Sequence, residues 1–246
     1  MIKNEKKFFI GIDLGWKDKR TTGICILTKN DCLKCEDVFG KNVLKALSPY
    51  LKNTEVIAID APLTKGRGKG AMRLYEKFLS TSIFRKEKVN PLPPALMPQF
   101  HQFAMELTKE LEEKGFVLDL NLIEVFPTFI KKVCRSRFLS INCPCLVDEL
   151  RSSSPSAFAR LVDELRSSSP SAFARVTENQ KSALICAKTA LLHSQFKTRW
   201  LGYKDGFLFL PAMSFWRKAW RQKFSQAWES RPRLKYYRLI TNIFKY

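Results

Sequence analysis

The stretch 7–15, KFFIGIDLG, is apolar for most of its length and predicts a strand. Residues 21–29 predict a second strand and 33–38 a weaker third. The links between them, 17–20 and 30–31, are short enough for an antiparallel meander. Val43, Leu44, Leu47 and Leu51 recur at helical spacing and predict a helix over 41–51, with Pro49 a local objection. EVIAID at 55–60 has almost no alternation, as in a fully buried strand. Pro91, Pro93, Pro94 and Pro98 interrupt the middle of the chain. Phe100, Phe103, Ala104, Leu107 and Leu111 then mark a helix ending at Gly115. The pattern predicts a strand over 117–126, stopped by Pro127, and a helix over 128–139. The strongest helix is 178–194, with a small-residue packing face of Ala183, Leu184, Ala187, Ala190 and Leu191. A strand-like FLFLP lies within 200–211.

Two further features set the organisation. LVDELRSSSPSAFAR occupies 146–160 and again 161–175. Two identical copies do not make a solenoid. They read as a local duplication in a surface insertion, each copy a short helix capped by SSSP. The division is therefore a domain over 1–211 carrying that insertion at 146–175, and a basic aromatic tail over 212–246. In the tail Trp216, Trp220 and Phe224 fall on one helical stripe with Arg217, Lys218 and Arg221 around it, which predicts a helix docked on the core. Arg217 and Arg221 are left as candidate contacts to nucleic acid, where rings stack on bases and cations hold phosphates.

Composition changes the picture mainly through charge. The 246 residues include 43 Lys or Arg against 23 Asp or Glu, a net charge of +20. With 45% hydrophobic residues this excludes a disordered or collagen-like chain. The charge calls for an anionic partner, nucleic acid first and an anionic membrane surface second. No apolar run is long enough to span a membrane, no signal peptide opens the chain, and the seven cysteines are odd in number, so the expected location is the reducing cytoplasm. Cys32 with Cys35 (CxxC) and Cys143 with Cys145 (CxC) are four thiols that could in principle hold zinc. The second pair is too tight for the usual knuckle and no turn glycines support the first, so the cysteines read as buried thiols.

Acids at strand ends carry the candidate chemistry. Asp13 in GIDLG, Asp60 in AIDAPL and Glu124 in LIEVFP each close an apolar strand. Burying lone carboxylates is costly, and a divalent cation is the natural shared partner. Mg²⁺ or Mn²⁺ prefers such hard oxygen ligands, and two ions together activate water and stabilise the leaving oxygen of a phosphodiester. The loop TKGRGKG is no Walker A motif, but Lys65, Arg67 and Lys69 could contact phosphates, with Arg73 shortly beyond. His101 and His193 sit in helical surroundings and read as structural or solvated.

These segments, with PLPPALM, ALICAKTALL and YKDGFLFLP, resemble the prokaryotic family described as domain of unknown function 429, predicted ribonuclease-H-like nucleases. The resemblance spans about residues 9–211. It implies an α/β fold, a ribonuclease-H-like mixed sheet with helices on both faces, and it matches Asp13, Asp60 and Glu124 to family acids. The family arginine after IDAPL corresponds to Arg67 or Arg73. One departure stands out: Ser182 occupies the place of the last-helix aspartate, and Glu178 lies four residues earlier on the same face. The leading expectation is a metal-dependent nuclease with Asp13, Asp60, Glu124 and Glu178 as catalytic residues and the first three as ligands. The second is a catalytically inactive nucleic-acid-binding or interaction protein on the same fold. A phosphotransferase is a third, for which the second phosphate-binding glycine motif is missing.

Overall fold

Alternation in β1 (Phe8–Asp13) sends Phe9 and Gly11 to one side of a sheet and Ile10 and Ile12 to the other, and both sides are covered. The computed structural model describes residues 6–66, 72–135 and 177–244. The duplicated insertion and residues 67–71 lie outside these. β2 (Thr22–Leu27) pairs antiparallel with β1, and β3 (Cys32–Val38) antiparallel with β2, as the meander predicts. After α1 (Val43–Leu51), β4 (Thr54–Asp60) returns parallel to β1. The small helices α2 (Leu74–Leu79) and α3 (Ser82–Lys86) precede the long α4 (Pro98–Glu112). β5 (Leu122–Glu124) adds parallel to β4, followed by α5 (Pro127–Val133) and α6 (Glu178–Ser194). The hairpin β6 (Thr198–Tyr203) and β7 (Gly206–Pro211) follows, then α7 (Lys218–Glu229), α8 (Arg233–Tyr236) and β8 (Ile240–Thr241). The result is an eight-stranded mixed sheet in the order β3-β2-β1-β4-β5-β7-β6-β8.

One face is closed by α1 and α4 through Val43, Leu47, Phe103, Ala104, Leu107 and Leu111, packed on Ile10, Ile12, Ile57 and Ile59. The other is closed by α2, α3, α5, α6 and α7. Their aromatic residues form an edge-to-face cluster: Phe78 and Phe84 meet Phe224, and Phe129 meets Trp216 and Trp220. The stripe Trp216, Trp220 and Phe224 is thus buried. Arg217 is exposed and its Nε donates to the Cys134 carbonyl at 3.0 Å, while Arg221 is half-buried.

Glycine sets the closeness of α6. A Cβ on Gly11 would lie 2.0 Å from the Ala183 carbonyl oxygen, and one on Gly23 would lie 2.4 Å from that of Asn179. Bare backbone in β1 and β2, meeting the α6 backbone at Ala183 and Ala187 and at Asn179, brings the helix down onto the sheet.

Pro49 and two element boundaries call for local reasons. Pro49 is tolerated inside α1 because the Lys45 carbonyl, which proline cannot serve, accepts from Ser48 Oγ at 2.9 Å. The long strand expected over 117–126 shrinks to three residues. The Val117 carbonyl accepts from the amides of Leu120, Asn121 and Leu122, Asn121 Oδ1 accepts from the Val117 amide at 2.6 Å, and Asp119 adopts φ 64°. Asp and Asn turn chemistry thus overrides an apolar pattern. The helix expected over 128–139 ends at Val133, where Cys134 becomes extended and bridges to Trp216. Its last residues lie outside the described ones.

Candidate functional site

The parallel register aligns the acids. Asp13 is paired with Asp60 across β1 and β4, and Ile59 with Glu124 across β4 and β5. All three carboxyls therefore reach the carboxyl-terminal edge of adjacent strands, where open α/β sheets place their ligand crevices. They line a cleft of about 310 Å³, walled by Pro91, Leu92, Met97 and Phe100.

Within it the acids divide into two sets. Glu124 is held entirely by protein: Oε2 accepts from the Leu63 amide at 3.0 Å and from Arg73 Nη1, and Oε1 from the Tyr75 hydroxyl. Arg73 Nη2 also donates to Glu76 Oε1, and the Arg73 amide donates to Glu76 Oε2 at 2.7 Å. Arg73, Glu76 and Glu124 are all buried. Such a triad holds only while each charge keeps its partner. Burial pushes the Glu124 carboxyl up, opposed by the Arg73 guanidinium, and pushes the Tyr75 hydroxyl far up, so it stays a donor.

Asp13 and Asp60 form the second set. They sit side by side in the β1–β4 register, and burial next to a like-charged neighbour favours the protonated form in the pair. Desolvation raises Asp13 to about 7, opposed by the charge of Lys131 and by hydrogen bonds from Asp60 and Ser182. Desolvation, then the neighbouring charges of Asp13 and Glu124, raise Asp60 well above the usual carboxylate range. Lys131 Nζ donates to Ser182 Oγ at 3.1 Å and lies 3.5 Å from Glu178 Oε2. Ser182 is presented by α6, which the Gly11 contact seats on β1, and Lys131 by α5, one turn beyond β5.

The expected Mg²⁺ or Mn²⁺ centre does not fit these residues. Among the described residues Asp13, Asp60 and Glu124 do not converge as a three-ligand group. Glu124 is bound on both oxygens to Arg73, Tyr75 and Leu63, and the charge of Lys131 acts on both Asp13 and Asp60. The cluster with metal-ligand spacing is instead Cys25, Cys32 and Cys35, whose soft sulfurs suit zinc rather than magnesium or manganese.

The remaining candidates are scattered. Glu178 does not join the acids; its largely exposed side chain pairs with Lys181 at 2.8 Å, which with Lys131 lowers its pKa. Arg73 reaches the site as a structural cation, not as an exposed phosphate contact. Lys65 is exposed, and Arg67 and Lys69 lie outside the described residues. Both histidines are engaged: His101 Nε2 with the Thr64 carbonyl at 3.2 Å, and His193 with Thr198 and the Leu120 carbonyl. The sequence reading missed Lys131, Tyr75 and Glu76. The lysines in PTFIKK, one helical turn past an acid-ended strand, were the available signal for Lys131.

No helix among the described residues is long and apolar enough to cross a membrane. Comparison of the chain with protein-family models, with curated proteins and with solved structures finds no match, so the family resemblance rests on the motifs alone.

Proposed function

We propose that the protein binds nucleic acid through phosphate contacts on a ribonuclease-H-like α/β scaffold, with the acidic cleft serving as part of the scaffold. The observation that carries this reading is the separation of charge. The chain bears +20, while Glu76, Glu124 and Asp205 are withdrawn into the interior, the first two held by Arg73 and the third accepting from the Leu74 amide through Oδ2 alone. The solvent-facing surface is left strongly basic, which favours a polyanion. Lys131, Lys181, Lys65 and the exposed Arg217 are candidate phosphate contacts. The test is fluorescence anisotropy with single- and double-stranded DNA and RNA oligonucleotides over a salt series. Neutralising about six phosphates predicts roughly a thousandfold loss of affinity between about 50 and about 200 mM salt. Absence of binding at low salt, or binding indifferent to salt, overturns the reading.

A second reading has one observation in its favour. Two carboxyls paired across β1 and β4 at the lining of one cleft, with burial raising Asp13 to about 7, are placed for general acid–base catalysis at neutral pH. In this reading the ionised member takes a proton from water and the protonated member gives one to the leaving oxygen. Cleavage of the bound oligonucleotide in the presence of chelator, lost in Asp13→Asn and Asp60→Asn, would establish it. Binding without cleavage leaves the first reading in place.

A further inference from the structure

Three sulfurs meet at the β2–β3 hairpin. Cys25 and Cys35 are directly opposed in the antiparallel register. Strict alternation would send Cys32 and Cys35, three residues apart, to opposite faces of β3. The register shifts instead: Ile26 pairs with Lys34 and Leu27 with Cys32, leaving Leu33 as an extra residue. That bulge turns Cys32 onto the face of Cys35. Cys32 Sγ consequently lies 3.7 Å from Cys25 Sγ and 3.6 Å from Cys35 Sγ, and all three sulfurs are within 4.8 Å of one another.

Those separations match a tetrahedral thiolate centre. With Zn–S bonds of about 2.3 Å, ligand sulfurs stand roughly 3.8 Å apart. Cys25 and Cys32 are buried, and Cys35 is half-exposed on the outermost strand, which gives an ion a way in. The same burial holds Cys25 as a thiol, its pKa pushed well up, while the charge of Lys188 on α6 favours its thiolate. Cys32 is disulfide-bonded in this structure, so its sulfur becomes a ligand only after reduction.

We propose that Cys25, Cys32 and Cys35 form a binding site for a soft, tetrahedrally coordinated divalent ion of the zinc type, opened by reduction of the Cys32 disulfide. A dithiol reductant supplies the two electrons. It cleaves the S–S bond by two exchanges, releases Cys32 and its former partner as thiols, and leaves as a cyclic disulfide. Binding of the ion then displaces three thiol protons and forms three metal–sulfur bonds. Three thiolates on a divalent ion leave one negative charge, which the Lys188 ammonium offsets. The bulge at Leu33 gives the hairpin its purpose in this scheme, since a regular ladder would separate Cys32 from the other two.

Cobalt(II) is the probe. The full-length protein is reduced with a dithiol, freed of reductant without air, and titrated with Co²⁺. One equivalent should give a thiolate-to-cobalt charge-transfer band and intense visible bands of tetrahedral cobalt, both abolished by Zn²⁺. Cys35→Ser, at the half-exposed position, should weaken binding by more than about tenfold, and Cys25→Ser likewise. Cys134→Ser, away from the cluster, should leave the spectrum unchanged, and far-ultraviolet circular dichroism verifies that each variant is folded. No band in the reduced protein, or a band that survives in folded Cys35→Ser, overturns the site. A band of equal strength before reduction overturns its redox control.

Discussion

Gly11 and Ala187 approach so closely that a Cβ on Gly11 would lie 2.1 Å from the Ala187 backbone nitrogen. No side-chain rotation can relieve a clash with backbone, so Gly11→Ala must push α6 off the sheet. We expect a loss of about 3 kcal/mol, at the upper end for overpacking, read as a lowered urea midpoint. Because α6 carries Ser182 to Asp13, the variant should also disturb the carboxyl pair.

Arg73 is shared between Glu76 and Glu124 in the interior. Arg73→Met strands two buried carboxylates and should cost about 3–5 kcal/mol. Adding Glu124→Gln to that variant should recover part of the loss by removing one of the charges. The exposed pair of Lys7 and Glu55, 3.1 Å apart, is the control: Lys7→Ala should change stability by less than about 1 kcal/mol. Equal costs for Arg73→Met and Lys7→Ala in urea titrations would refute the role of the triad.

The carboxyl pair makes stability depend on pH. Asp13 binds its proton up to about pH 7 when folded, against an ordinary value of 3.8. Between those values the folded state holds more protons than the unfolded, so this contribution is fully present below about pH 4 and is lost as pH rises to about 7. Asp60, also raised by burial and by its acidic neighbours, contributes with the same sign. Besides burial, the groups setting this balance are Lys131, Asp60, Asp37 and Ser182 around Asp13, and Asp13, Glu124 and Lys131 around Asp60. Asp13→Asn removes the titration. The stability of that variant relative to the native protein should therefore grow from pH 4 to pH 7 in denaturation curves, and a flat difference would contradict the assignment.

Lys131 holds the Asp13 proton affinity down. In Lys131→Met the Asp13 carboxyl, followed by carbon-13 NMR, should titrate above its native midpoint. Lys132→Met, on the same helix, should leave that midpoint unmoved. The reverse result would place the controlling cation elsewhere.

What the sequence disclosed follows from the range of the forces involved. The strands of Ile10, Ile12, Ile57 and Ile59 were readable because burial on both faces leaves no polar positions, and the helix of Ala183 and Ala187 because its packing face is local. The acids at strand ends were readable for the same reason. Their chemistry was not, because it depends on groups far away in the chain: Arg73 reaches Glu124 across 51 residues, and Lys131 reaches Ser182 across 51. The thiol cluster shows the limit most sharply. Cys32 and Cys35 were visible as CxxC, but Cys25 enters through cross-strand register and Cys32 through a bulge, and neither is encoded in spacing. Over 117–121 a local signal was present and overlooked, since Asp119 and Asn121 announce a turn inside an apolar run.

The aromatic cluster has a consequence for how the molecule comes into being. Phe78, Phe84 and Phe129 are synthesised long before Phe224, Trp216 and Trp220, which supply their ring contacts. β5 likewise emerges well before β7, its second neighbour in the sheet. On the ribosome, β1 to β4 with α1 can associate early, whereas the opposite layer must wait with its phenylalanines uncovered. During that interval the nascent chain presents a sticky aromatic surface, and α7, with Trp216 just before it, acts as the closing piece that withdraws it from other chains.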